Sequence, residues 1–508
     1  MCWNFRVTQV RSVGVPPGRF QPWRPETLGL LAMIAMGASV LMTVAIGLLG
    51  PSAMVPRPPG PAWHPPYWLN AAPPPHLVVG VAAASIVLGA LGLGAALSAA
   101  RRGGLAGARW FLVAGCAAVG LLALLPPSGS SDHLNYAAYG RIAALGLDPY
   151  AMSAADLPHD PVAGAVEEWR TTTSVYGPAA TAVQALASAV GGESVRLTVF
   201  TLALVNAAAF IGTSLLIHRF TRGDLRATLL WAANPLLIYH LAAGMHIDTL
   251  AIACVCAALV AGAYGAGRGG AGLPAYRHAG SGVLLGLGIG VKINTGLVSL
   301  GPAWELRRRP GSLALVAGAA TLTVAGLYAL AGRHAFDQVS AAGKMVSLAT
   351  PWSLVKRWLQ LVFGSGAYAL WIQIGSLLLL VALAWLLFRV LRDTAGRATT
   401  VSAVMVVAWL LAAPYALPWY DGLAFALVAL VPATALDGFL VARLAVLSLA
   451  YLPARAVGQP PDLWWLTEVV RKEVVPALLL ALTAALLGWA VRAGALARTR
   501  RASTAPPP

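Results

Sequence analysis

Residues 128–178 hold Asp132, Asp148, Asp156, Asp160, Glu167 and Glu168, a third of the 18 acids in a chain of 508 residues. The same stretch, SSDHLNYAAYGRIAALGLDPY through DLPHDPV to EEWRTTTSVYGP, carries Tyr136, Tyr139, Arg141, Trp169, Arg170 and Tyr176. Carboxylates accept protons, and guanidinium groups hold anions. A charge in hydrocarbon costs on the order of a few kcal/mol unless it is paired or faces water. Acids gathered into one connection between apolar runs therefore mark where chemistry is expected. Three more groups of this kind follow: GMHID with His246 and Asp248, Lys292 inside SGVLLGLGIGVKINTGLVSLGPAW, and PYALPWYD with Trp419, Tyr420 and Asp421.

The elements that must position these residues are membrane helices. Hydrophobic residues make up 58% of the chain and charged ones only 10%, against about 25% charged in soluble proteins. The expected fold class is an all-α polytopic membrane protein, read as one domain over 1–508. The net charge of +17 does not indicate nucleic acid, because the arginines sit at the ends of apolar segments, where they set orientation. Four cysteines imply no disulfide framework, and Cys254 and Cys256, two apart, do not share a helix face. The apolar run at 28–50 is too long for a signal peptide and is expected to remain as an anchor.

A span needs roughly 20 apolar residues. About 12 spans are expected, near 28–50, 77–100, 109–127, 194–217, 225–243, 246–265, 311–331, 366–388, 398–413, 421–438, 439–457 and 474–491. The Pro-rich 51–76 reads as a loop, and the tail 504–508 as disorder. Basic clusters in the N-terminal tail, at Arg101/Arg102/Arg109, 218–226, Arg268/Arg277, 305–310 and Arg389/Arg392/Arg397, and in the C-terminal tail, place both termini in the cytoplasm. The acidic segment then faces outward. Residues 176–190 fit an interfacial or re-entrant helix. Residues 281–304 have basic flanks on both sides but are too short for two spans, so two half-helices meeting at 291–294 are expected. They would present Lys292 in a protein-lined cavity on the outer side. All the polar groups then fall on one face, which argues for a single outward site.

The order of these pieces resembles the GT-C fold of polytopic glycosyltransferases: an acidic first outer segment, YGP, Asn234-Pro235 before His246-x-Asp248, and a lysine between half-helices. More closely, D-x-x-x-Y…G-x-DPY…DLP…DPV…WR-x-T-x-SVYGP resembles the polyprenol-phosphomannose-dependent α-1,6-mannosyltransferases of actinobacteria, which build the mannan backbone of lipomannan and related lipoglycans. The resemblance covers roughly residues 105–440; residues 1–104 form a tail and two additional helices, which suits that group. It implies a β-linked mannosyl phosphate donor, an α-linked product and inversion by a single displacement. The partners it implies are polyprenyl-phosphate mannose, a mannosylated lipoglycan acceptor and membrane lipid, at the outer face of the cytoplasmic membrane.

Such a reaction needs one base and cations around a leaving lipid phosphate. Asp132, the first acid after a span and at the place of the family's catalytic aspartate, is the expected base; its plain structural role would be a helix cap. Lys292, with Arg141 and Arg170, is expected to bind the donor phosphate, although ion pairing explains Arg170 equally well. Lys344, Lys356 and Arg357 stay divided between phosphate and lipid headgroups. His246 and Asp248 either orient the acceptor or serve as cap and interfacial histidine. Tyr136, Tyr139, Trp169, Tyr176, Trp419 and Tyr420 either belong to an aromatic belt or face the acceptor, with Trp419 or Tyr420 as a stacking platform. No cofactor is expected and no metal is required, because no diphosphate has to be neutralised. A transferase for another polyprenyl-phosphate sugar, arabinofuranose or glucose, is the alternative within this class. A lipid or anion transporter is the alternative from another class, and it would call for a second copy of the broken helix pair.

Overall fold

The computed structural model describes residues 24–262, 274–336, 345–391 and 398–504. The basic tail before Arg24, Arg268, Lys344, Arg392, Arg397 and residues 505–508 lie outside the described residues. Among those described, the chain is helical, with one isolated bridge between Ser52 and Val55.

Six helices are long and apolar enough to cross a membrane: Pro25–Leu49, Pro75–Arg101, Val195–Phe220, Pro310–Ala331, Ala369–Val390 and the continuous stretch Pro461–Ala495. Ala108–Leu122, Asp248–Ala261 and Ala398–Ala412 are apolar but shorter. The chain is thus a multi-pass membrane protein. Besides 439–457, which gives the 15-residue helix Leu436–Ala450, two of the twelve stretches read as spans are built differently. Residues 225–243 are not one helix but Leu225–Leu230, Pro235–Leu237 and a π-helical turn, Ile238–Ala243. Pro235 has no N–H to continue a helix, and Asn234 caps the new start through its Oδ1, which accepts from Leu236 N at 3.1 Å and Leu237 N at 3.3 Å. Residues 421–438 give the short helix Asp421–Ala429, buried along its whole length. In both stretches the apolar composition reflects burial among other helices rather than contact with lipid.

Around Lys292 the chain does break. Helix Ala275–Val291 ends, Lys292 adopts an extended backbone (φ −151°, ψ 118°), and a 3-10 segment, Ile293–Ser299, leads into the short helix Leu300–Leu306. The two sides of the break are unequal, a long helix and a tighter, irregular return.

The acidic segment begins with helix Asp132–Ala144, which packs against Pro178–Gly191. Their close approach needs Gly140, because a Cβ there would stand 2.2 Å from the Gln184 carbonyl oxygen. The entry to the first helix is pinned by Ser128 N to Ala243 O and Gly129 N to Met54 O, both 2.8 Å. The turn before residue 132 is therefore tied to two distant segments of the chain.

Candidate active site

Asp132 is the first residue of its helix, with its backbone N–H on Ser130 Oγ at 3.1 Å. Its carboxylate lies 3.6 Å from His246 Nδ1, with 17% of the side chain exposed. Burial, then the nearby Glu168 and Asp248 carboxylates, push its pKa up to about 7, against a smaller downward pull from Lys292 and a hydrogen bond with Ser130. A carboxylate so placed is a proton acceptor near neutral pH.

His246 follows the Gly244 turn and precedes helix Asp248–Ala261. Its ring stacks on Trp419 at 3.5 Å with planes 13° apart. Burial holds it well below the usual imidazole range, so the ring is neutral. Tyr176 donates to the Tyr136 hydroxyl at 3.1 Å, and that hydroxyl lies 3.3 Å from His246 Nδ1. If Tyr136 passes the donation on, Nδ1 accepts and the proton sits on Nε2. His246 Nε2 is buried and has no protein partner among the described residues.

Lys292, on the helix break, ion-pairs with Asp248 Oδ1. Its ammonium also sits 3.8 Å from the centre of the Tyr420 ring and 5.9 Å from that of Tyr176. The second Asp248 oxygen, Oδ2, is buried and has no partner among the described residues. Asp421 Oδ1 accepts from Arg443, which also donates to Leu410 O at 2.8 Å, so the pair braces the Trp419–Tyr420 turn from behind, while Asp421 Oδ2 is buried without a partner among the described residues.

Asp132, Tyr136, Tyr176, His246, Asp248, Lys292, Trp419 and Tyr420 thus converge from four separate parts of the sequence. Tyr139 stands beside them and donates to Thr172 O at 3.1 Å. Arg141 and Arg170 are not brought in. Arg141 lies nine residues beyond Asp132, about 13 Å along the helix, and its Nε donates to Asp160 at 2.8 Å. Arg170 is exposed, and the neighbouring acids are taken by other partners. Arg357 pairs with Glu473. Among the described residues no group of three His, Cys, Asp or Glu side chains is disposed to hold a metal ion.

Tyr451, Arg455 and Arg471 were not singled out from sequence, and Glu167 and Glu168 were named there only as part of the acidic segment. Tyr451 packs edge-on against Trp419 at 5.0 Å and is hydrogen-bonded to Ser130. Arg471 lies 5.5 Å from the Tyr451 ring. Glu168 accepts from Ser131 Oγ at 2.8 Å and from Ala456 N at 2.7 Å, while Glu167 pairs with Arg455, whose Nη1 reaches Ser52 O at 2.6 Å. No local pattern announces these contacts; the Glu167–Arg455 pair joins residues 288 apart. The nearest signal was negative, two adjacent acids in an apolar chain that must find cations somewhere.

The arrangement gathers a carboxylate able to accept a proton, an imidazole and a cation within one cluster of aromatic rings. Comparison with known proteins gives it a family. The family described as Alpha-(1->6)-mannopyranosyltransferase, N-terminal domain, matches residues 34–308. That stretch holds Asp132, His246, Asp248 and Lys292 but not the Trp419, Tyr451 or Arg455 side of the site. The alpha-(1->6)-mannopyranosyltransferase A of Mycobacterium tuberculosis is 27% identical over 329 residues, 59% of this chain and 61% of that protein. Another alpha-(1->6)-mannopyranosyltransferase of the same organism is 34% identical over 139 residues, 25% of this chain and 23% of that protein. The alpha-(1->6)-mannopyranosyltransferase B of Corynebacterium glutamicum is 31% identical over 188 residues, 35% of this chain and 31% of that protein. In each case the matched stretch spans less than two thirds of the relative's length. No solved structure matches the chain.

Proposed function

The chain belongs to the alpha-(1->6)-mannopyranosyltransferase family, and from that premise we propose that it transfers mannose from polyprenyl-phosphate mannose to a mannan or lipoglycan acceptor, forming an α-1,6 linkage at the outer face of the cytoplasmic membrane. The GT-C arrangement and the outward orientation are part of this proposal. They are supported by the basic flanks of the apolar segments and by the gathering of the polar groups into one cluster.

The chemistry is a single displacement. Asp132 takes the proton of the acceptor 6-hydroxyl as that oxygen attacks the anomeric carbon from the face opposite the phosphate. The bond from the anomeric carbon to the phosphate oxygen breaks, and polyprenyl phosphate leaves as a stable anion, so no proton donor is needed. The Lys292 ammonium stabilises the charge gathering on the phosphate oxygens. His246, neutral and stacked on Trp419, fixes the carboxylate's surroundings and offers its Nε2 as a hydrogen-bonding group. The carrying observation is the state of Asp132: partly exposed, close to His246, and with its pKa pushed up to about 7 in a pocket that also holds a lysine.

Membranes containing the protein, given radiolabelled polyprenyl-phosphate mannose and a short α-1,6-mannoside, should release label into a longer mannoside cleaved by an α-1,6-specific mannosidase. Transfer from a polyprenyl-phosphate pentose but not from the mannose donor would overturn the assignment of the sugar. Label that stays in the lipid phosphate throughout would overturn the transferase reading.

A further inference from the structure

The two aromatic residues that sequence offered as a sugar platform have their faces occupied. Trp419 is 1% exposed, with His246 stacked on it at 3.5 Å and Tyr451 against it edge-on at 5.0 Å. Tyr420 carries the Lys292 ammonium 3.8 Å from its ring centre and stacks with Trp409 at 6.1 Å. A pyranose needs a free aromatic face, and neither provides one.

Trp169 does, with 54% of its surface exposed. Its backbone has φ +61°, a left-handed conformation that is unusual for a bulky residue and persists only where the surroundings impose it. Those surroundings are visible on both sides. Before it, Glu167 is held by Arg455, and Glu168 by Ser131 Oγ and Ala456 N. After it, Arg170 O accepts from Ala155 N at 2.8 Å, Trp169 O from Thr172 N at 2.9 Å, and Thr172 O from the Tyr139 hydroxyl at 3.1 Å. Glu167, Glu168, Arg170 and Thr172 are tied to the protein while the indole is left exposed. The ties also set its place: Ser131, which Glu168 holds, immediately precedes Asp132, and Tyr139 belongs to the Asp132 helix.

We propose that Trp169 is the stacking platform for the acceptor saccharide, holding a mannosyl unit of the chain whose terminal hydroxyl reaches Asp132. The proposal rests on the acceptor being a mannoside, as above. The donor's lipid tail must come from the bilayer, whereas the acceptor is the water-borne sugar, and an exposed ring on the outer segment that carries the base is placed for the latter. The rings of tryptophan are rigid, and ordering one costs little conformational freedom.

The test uses the purified full chain in lipid nanodiscs, with polyprenyl-phosphate mannose as donor and α-1,6-mannotetraose as acceptor. Trp169→Ala should raise the acceptor KM roughly two- to tenfold, with donor KM unchanged. Trp169→Phe should recover most of that loss and Trp169→Leu should not. An unchanged acceptor KM in Trp169→Ala would overturn the proposal. So would equal rescue by leucine and phenylalanine, which would make Trp169 an apolar anchor in the membrane interface, or a change confined to the donor KM. If wild-type protein neither binds nor extends mannotetraose, the functional reading falls and this inference with it; wild-type transfer with an indifferent Trp169→Ala removes the inference alone.

Discussion

Arg226–Asp437 and Lys292–Asp248 are both buried pairs of a cation with a carboxylate, and they are completed in opposite ways. Arg226 grips both Asp437 oxygens, at 2.7 and 2.6 Å, and also donates to Val431 O at 2.8 Å and Val428 O at 3.2 Å. All three of its guanidinium nitrogens thus have protein partners. Lys292 holds one Asp248 oxygen; the other, like His246 Nε2, is buried without a partner among the described residues. Buried polar atoms are nearly always paired in folded proteins. The saturated pair therefore reads as a clasp between the Leu225–Leu230 and Leu436–Ala450 helices, and the other keeps hydrogen-bonding capacity inside the candidate site.

The contrast is breakable, and the largest effect belongs to the clasp. Arg226→Ala leaves the Asp437 carboxylate buried and alone, so it should cost about 3–5 kcal/mol. A thermal melt of the purified protein in detergent would read this, with the turnover of whatever remains folded close to wild type. A variant as stable as wild type but catalytically impaired would reverse the roles assigned to the two pairs.

Lys292→Ala should act on turnover instead. Loss of a desolvated, charge-assisted contact is worth about 1.5–3 kcal/mol, which corresponds to roughly ten- to a hundredfold in kcat/KM for the lipid donor, with the acceptor KM little changed. A change confined to acceptor use would show that Lys292 serves Asp248 rather than the phosphate.

The smallest expected effect is none. The acids near Asp132 come from separate segments, and a lysine with an aspartate base suffices to expel a lipid phosphate. Transfer in purified membranes should survive EDTA and should not rise with Mg²⁺ or Mn²⁺. Loss in chelator, restored by one particular divalent ion, would recast His246 and Asp248 as ligands.

Much of the site was legible in the sequence, because acids and a lysine stand out in an apolar chain. Asp132, the His246-x-Asp248 pair, Lys292 and the Trp419–Tyr420 turn could all be found that way, and the structure brings them together. Arg141 and Arg170 could be found but not placed. Both lie within the acidic segment, and only the folded path shows Arg141 turned to Asp160, nineteen residues on. Tyr451, Arg455 and Arg471 were not legible at all, since Arg455 pairs with Glu167, 288 residues away, and no periodicity links Tyr451 to Trp419 or Arg471 to Tyr451. The same limit applies to the fold. Hydropathy cannot tell a segment buried among helices from one facing lipid, so Asp421–Ala429 and the pieces of 225–243 looked like spans. Only Asn234-Pro235 carried a visible reason for the break.

The central claim is that Asp132 removes the acceptor proton, and the pH profile of a purified pair, wild type and Asp132→Asn, tests it most directly. The carboxylate must be ionised to act, and its pKa is raised to about 7. Wild-type transfer should therefore be low in acid, rise with pH through a midpoint near that value and level off above it. Asparagine keeps the shape but cannot take a proton, so the variant should fall by at least about two orders of magnitude and lose that rise. Near-normal transfer by a folded Asp132→Asn protein, with the same midpoint retained, would contradict the account.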